Sequence, residues 1–188
     1  MPTFCYTPPV VVYTVGHSTR PLSDFVDLLK AHGITAVADV RRFPASRRHP
    51  HFAREALAQS LPESGITYTW HPDLGGHRKP RPDSPHIAWE SDAFRGYADH
   101  VDTEGFETAL TDLLELARQR PTAIMCAEAV PWRCHRQLIA NTLTARGIEV
   151  RNVIDKSPPA THRLPPFARV EGTRVLYDVG QLALPTLR

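Results

Sequence analysis

The stretch Ala123-Ile124-Met125-Cys126-Ala127-Glu128-Ala129-Val130-Pro131-Trp132-Arg133-Cys134-His135-Arg136 decides how the chain is read. The apolar run after Pro121 predicts a buried strand. Leu138, Ile139, Thr142 and Leu143 share one helical face, so a helix is expected from about Cys134 to a stop at Gly147. Strand side chains alternate, which sends Cys126 and Glu128 to the same side of the sheet. Cys134, His135 and Arg136 are expected in the first helical turn, where free N–H groups and the positive dipole end favour anions and thiolates. A plainer reading makes the cysteines small buried apolar residues and Arg136 a stem covering apolar surface. Glu128 weighs against it, because a charge near a strand end must be paired or solvated, and Arg133 or Arg136 is the expected partner.

The same strand-to-helix pattern recurs outward from this segment. Val10 to Val15 is a continuous β-branched run ending in Gly16-His17-Ser18, followed by a helix with Leu22, Phe25, Val26 and Leu29 on one stripe and Gly33 at its end. A second strand, Ile34 to Val40, leads into a basic loop, and a short helix follows from about Ala53 to Leu61. Ile66 to His71 predicts a third strand that ends at Leu74-Gly75-Gly76. The section from His77 to His100 shows no apolar period and is expected to be a long irregular segment, ordered by Trp89, Phe94 and Tyr97. Phe106, Leu110, Leu113, Leu114 and Ala117 mark an amphipathic helix, Ile148 to Ile154 a fifth strand, and Arg174 to Val179 an edge strand.

Alternating strands and helices predict an α/β fold: a mainly parallel β-sheet with helices on both faces, a Rossmann-like open three-layer sandwich of unspecified strand order. At 188 residues a single domain over 1–188 is expected, with a motif-bearing core at about 10–155 and a Pro-rich tail at 156–188. A net charge of +2 excludes a polycation, so any attraction to phosphate must be local. No apolar run is long enough to span a bilayer and the first residues do not form a signal peptide, so a cytoplasmic location with no membrane partner is expected. Three cysteines without framework spacing read as reduced thiols.

In parallel sheets, ligands bind beyond the carboxyl ends of the strands. Here those ends carry His17 and Ser18, Asp39 and Arg41, Gly75 and Gly76, Cys126 and Glu128. The blocks Thr14-Val15-Gly16-His17-Ser18, Asp39-Val40-Arg41 with Pro44, Ser46 and Arg47, Leu74-Gly75-Gly76, Phe94-Tyr97-Ala98, Cys126-Ala127-Glu128 and Cys134-His135-Arg136 together resemble the bacterial family labelled domain of unknown function 488. The resemblance covers about residues 12 to 155 and implies that these blocks travel together; the family label implies no activity.

Arg41, Arg42, Arg47, Arg48 and Arg54 occur with no acid among them, and guanidinium forks suit phosphate. The expectation is therefore an enzyme, a hydrolase or transferase, with an anion pocket for a phosphate-bearing small molecule or nucleic acid. The candidate catalytic residues are Cys126, Glu128, His135 and Asp39. The candidate substrate-binding residues are His17, Ser18, Arg41, Arg47, Gly75, Gly76, Tyr97, Cys134 and Arg136. Either Cys126 or Cys134 suits the role of nucleophile. One alternative is a nucleic-acid-binding module with Trp70, Trp89 or Trp132 stacking on bases. The other is a metal site using Cys126, Cys134, His135 and His17, although cysteines eight apart do not match a familiar zinc motif and no metal ligand is assigned. There is no Gly-x-Ser-x-Gly elbow, Walker loop or dinucleotide fingerprint, so no cofactor is specified.

Overall fold

A computed structural model describes residues 9–45 and 47–178. Its sheet runs β3-β2-β4-β1-β5-β6, with β1 Val11–Gly16, β2 Ala36–Asp39, β3 Thr67–Trp70, β4 Thr122–Cys126, β5 Glu149–Val153 and β6 Ala160–Thr161. The first five strands pair in parallel, and β6 runs antiparallel on the β5 edge. The expected α/β class is therefore correct, and β4, buried along its whole length, lies near the centre of the sheet.

Chain direction explains which face each helix covers. From β1 the chain moves outward to β2 and β3 through α1 (Leu22–Ala31) and α2 (Arg54–Glu63). It then turns back to β4 and on to β5 through α3 (Asp92–Val101), α4 (Glu104–Gln119) and α5 (Arg136–Ala145). Right-handed crossovers put helices made in opposite directions on opposite faces. One core joins Phe25, Leu29, Leu57 and Leu61 to Val37, Ala123 and Met125; the other joins Phe106, Leu110, Leu113, Leu138 and Ile139 to Val12, Ile124 and Cys126. Full burial of each such side chain contributes roughly 1.5–3 kcal/mol.

The loops leaving β1 and β2 thus go to one face, and the loop leaving β4, between them, goes to the other. This reversal opens a crevice at the carboxyl end of β4, at Cys126.

Three expectations need correction. The section from His77 to His100 is not irregular throughout, because α3 occupies Asp92–Val101. Its aromatic anchoring is present: Trp89 stacks on Phe94 at 4.8 Å and meets Phe167 edge-on at 4.9 Å. The helix after β4 starts at Arg136, so Cys134 precedes it instead of lying in its first turn. In the tail, β8 (Arg174–Leu176) pairs with β7 (Arg169–Glu171) in a separate hairpin and does not extend the main sheet. Ser46 and Val179 lie outside the described residues, as does Cys5. No helix among the described residues is long and apolar enough to cross a membrane.

Candidate active site

The exit from β4 is built on backbone contacts with β1. The strands pair to Gly16–Cys126, and pairing continues as His17 N–H donates to Cys126 O (3.0 Å) and Ser18 N–H to Ala127 O (2.9 Å). A side chain on Gly16 would lie 1.8 Å from Glu128 O, so only glycine lets the loop cross here. That loop makes a 3-10 turn at Pro131–Arg133 and returns through Cys134, whose extended backbone precedes α5.

The return brings the two thiols and the imidazole together. The ligating atoms of Cys126, Cys134 and His135 all lie within 4.8 Å of one another, with His135 Nδ1 3.9 Å from Cys126 Sγ and 3.7 Å from Cys134 Sγ. His135 Nε2 is 2.9 Å from Val40 O, and a carbonyl only accepts, so Nε2 carries the proton. In the neutral ring the lone pair of Nδ1 therefore faces the sulfurs. Tyr97 flanks this imidazole at 5.0 Å, and a side chain on Gly76 would stand 3.0 Å from Nδ1, so the ring is held in place.

Behind the cluster Arg136 is fully buried and has no carboxylate partner among the described residues. Its backbone N–H and Nε donate to Cys134 Sγ at 3.5 and 3.4 Å, its NH2 donates to Glu128 O at 2.5 Å, and its NH1 has no partner. Arg95 and Arg146 also leave one nitrogen unsatisfied, but each is paired with an acid. A buried guanidinium needs a counter-charge, and among the described residues the ionisable group it donates to is the Cys134 sulfur. Burial alone would push the Cys134 thiol up, but donation from Cys126, from His135 whenever its ring carries both protons, and from Arg136 brings it well below the usual thiol range. Cys126, donating to Cys134 and itself buried, is held well above that range.

A cavity of about 300 Å³ opens over this cluster, lined by Cys126, Cys134 and His135 with Arg41, Arg42, Arg133 and Glu128. Gly76, Phe43, His77 and Phe94 complete most of the wall. Arg42 and Arg133 make no ion pair among the described residues, whereas Arg41 is bound to Asp39 at 2.5 Å. Asp39 is fully buried beneath the cavity and also accepts from Tyr68 OH at 2.7 Å. Burial works against the charge on Arg41, but the Asp39 carboxylate more than offsets it, and the arginine pKa is raised. Arg41 NH1 donates to His17 Nε2 at 3.3 Å, so His17 Nδ1 carries the proton and donates to Ser18 O at 2.8 Å. Burial, with Arg41 adding to it, lowers the His17 pKa to about 4.

Of the residues singled out from the sequence, Arg41, Gly76, Cys126, Glu128, Cys134 and His135 line the cavity. His17, Asp39, Tyr97 and Arg136 stand behind it as supports, and Tyr97 OH is spent on Leu74 O at 2.7 Å. Ser18, Gly75 and the exposed Arg47 do not line it. Glu128 is exposed, and its carboxylate makes no ion pair among the described residues; the expected pairing with Arg133 or Arg136 is replaced by the bond from Arg136 to the Glu128 carbonyl. Phe43 and His77 were not selected from the sequence, although Phe43 follows the Arg41-Arg42 pair and is 68% exposed, and Phe94 was picked out as an ordering aromatic and not as a site residue. Of the three tryptophans, Trp89 is packed in the aromatic cluster and Trp70 lies under Arg54 at 4.4 Å, leaving Trp132, 58% exposed, beside Arg133.

Comparison with known proteins places these features in one family. The family model described as domain of unknown function DUF488 matches residues 21–143, a segment that runs from α1 into α5 and includes both cysteines, His135 and the three cavity arginines. No curated protein and no solved structure matches the chain. With about two thirds of its length under that match, the chain belongs to the DUF488 family.

Proposed function

We propose that the chain is an enzyme, a hydrolase or transferase, that binds a phosphate-bearing substrate of nucleotide or nucleic-acid type over the Cys126–Cys134–His135 cluster. The observation that carries this reading is the sharing of one cavity by two thiols, two imidazoles and three arginines against a single carboxylate, Glu128. Arg42 and Arg133 have charge to spare for an oxyanion, while Arg41 is pre-set by Asp39. A cavity of about 300 Å³ suits a small substrate or one unit of a longer chain. Phe43 at its rim offers an apolar face to a base.

A neighbouring groove favours the second reading, a nucleic-acid-binding module. It shares Arg42 and His77 with the first cavity and adds Arg78, Lys79 and Arg81, the last paired with Asp99 of the same groove, so basic surface continues beyond the room for one nucleotide.

Calorimetric titration with inorganic phosphate, nucleoside monophosphates and short single-stranded oligonucleotides, with phosphorus NMR to follow turnover, tests both readings. For the enzyme, nucleoside monophosphates should bind, with roughly tenfold loss (about 1.4 kcal/mol) in an Arg42→Ala/Arg133→Ala double variant. Turnover should disappear in Cys134→Ser. Oligonucleotide binding that falls steeply with salt, without turnover, would instead support the binding module. Phosphate affinity unchanged by the double variant would contradict both.

A further inference from the structure

We infer that Cys126, Cys134 and His135 form a three-ligand site for a zinc-class divalent metal ion, with the fourth coordination position open to the arginine-lined cavity. The inference stands on the geometry of the sulfurs and the imidazole and does not depend on which substrate the cavity takes.

The two sulfurs face the same nitrogen at nearly the same distance, 3.7 and 3.9 Å. A catalytic thiol–imidazole pair needs one sulfur on that nitrogen; two sulfurs converging on it make a chelate. In tetrahedral zinc, with metal–sulfur bonds of about 2.3 Å and metal–nitrogen bonds of about 2.0 Å, a sulfur and a nitrogen ligand stand roughly 3.6 Å apart. All three atoms lie within 4.8 Å of one another, a span suited to one ion. Sequence spacing weighs against a zinc motif because that rule describes ligands carried by one short loop. Here the end of β4 and the start of α5 do the positioning instead.

The surrounding contacts are those a ligating set requires. His135 Nε2–H donates to Val40 O, which leaves Nδ1 to bind the metal and orients the ring. Arg136 gives two N–H donors to Cys134 Sγ, as outer groups commonly do for a metal-bound thiolate. With three protein ligands and all three facing the cavity, the set matches sites that keep one position for water or substrate. Soft sulfur with imidazole selects zinc-class ions over magnesium or calcium. His17 is not a ligand, because its Nε2 is committed to Arg41 NH1 and its Nδ1 to Ser18 O.

The test uses the full chain with Zn²⁺ or Co²⁺ as the only added probe. Elemental analysis after gel filtration should give one zinc per chain. Co²⁺ should give thiolate charge-transfer absorption and the intense visible bands of a tetrahedral site. Cys126→Ser, Cys134→Ser and His135→Gln should each lose the stoichiometric ion, whereas His17→Asn should keep it. Because a cysteine variant can misfold, X-ray absorption of wild-type zinc protein supplies an independent reading: two sulfurs at about 2.3 Å and nitrogen or oxygen neighbours at about 2.0 Å. Loss of metal on gel filtration under reducing conditions, a zinc shell of nitrogen and oxygen only, or isolation of a metal-free Cys126–Cys134 disulfide would each overturn the assignment. Phosphate binding in metal-free protein is read separately, so either proposal can fail alone.

Discussion

Helix α5 carries a polar cluster at each end, and the two are finished differently. Toward its carboxyl half, Thr14 Oγ1 donates to Asn152 Oδ1, Asn152 Nδ2 to His162 Nδ1, His162 Nε2 to Asn141 Oδ1 and Asn141 Nδ2 to Tyr177 OH, at 2.6–3.3 Å. The four bonds follow one another without a break, and together they tie β1, β5, α5 and the segment after β8 into one unit. At the amino end two thiols share one imidazole nitrogen, and a buried arginine has no acid partner and one unsatisfied nitrogen among the described residues. Satisfied buried networks rigidify and specify a fold; an incomplete one that opens into a cavity is where a ligand completes the set.

The largest expected effect breaks the satisfied network. Asn141→Ala strands His162 Nε2–H and Tyr177 OH and leaves a cavity, so urea denaturation should show a loss of about 3 kcal/mol. Cys126→Ser, at the unfinished end, should cost less than about 1 kcal/mol when both proteins are compared metal-free. Equal losses would erase the distinction between the two ends.

Acid acts on both regions through buried neutral histidines. The His17 pKa falls from 6.5 to about 4 on folding, so between those values the unfolded chain binds a proton that the folded chain refuses. His17 therefore contributes stability that is complete above pH 6.5 and lost as pH falls toward 4, by up to roughly 3 kcal/mol. Burial lowers His162 in the same direction. Denaturation curves from pH 7.5 to 4 should show this decline, and His17→Asn should flatten part of it; an unchanged slope would mean that His17 is protonated in the fold.

Arg136→Met asks whether the arginine serves the sulfur or the core. Removing the charge lets Cys134 take up a proton, so iodoacetamide labelling of metal-free protein at pH 7 should slow roughly tenfold. The fold should lose less than about 2 kcal/mol, since a buried charge is replaced by an apolar chain of similar length. A large stability loss with unchanged labelling would make Arg136 structural. The smallest effect belongs to Glu128→Gln: stability within about 0.5 kcal/mol of wild type. Without its negative charge in the cavity, phosphate affinity should rise about two- to threefold while turnover falls. If neither changes, Glu128 is solvated surface.

The alternation of strands and helices was legible because runs such as Val11-Val12-Tyr13-Thr14-Val15 and the stripe of Phe25, Val26 and Leu29 state their periods locally. Helix α3 was not legible, since its interior holds Gly96 where a side chain would meet the Arg78–Pro80 backbone at about 2.5 Å, a requirement set by tertiary contact. The β7–β8 hairpin was missed for a similar reason: Arg169–Glu171 is exposed and carries no strand period. In the site, Cys126, Glu128, Cys134 and His135 could be read together because one crossing carries all four. Phe43 and His77 reach the cavity only because β4 is inserted between β1 and β2, an order that strand pairing decides and local periodicity does not encode. Full burial of Arg136 was equally hidden, because arginine is most often exposed.

The most direct test of the central claim, that a phosphate-bearing ligand sits over the thiol–imidazole cluster, is a protection measurement. Chelator-treated protein is labelled with iodoacetamide at pH 7, with and without saturating nucleoside monophosphate, and the modification of Cys126 and Cys134 is read by peptide mass. The expected result is labelling of Cys134 faster than Cys126 and at least tenfold slowing of Cys134 by the nucleotide, since occupancy of the cavity both covers the sulfur and offsets the charge that ionises it. Labelling of Cys134 at the same rate with and without nucleotide would contradict it.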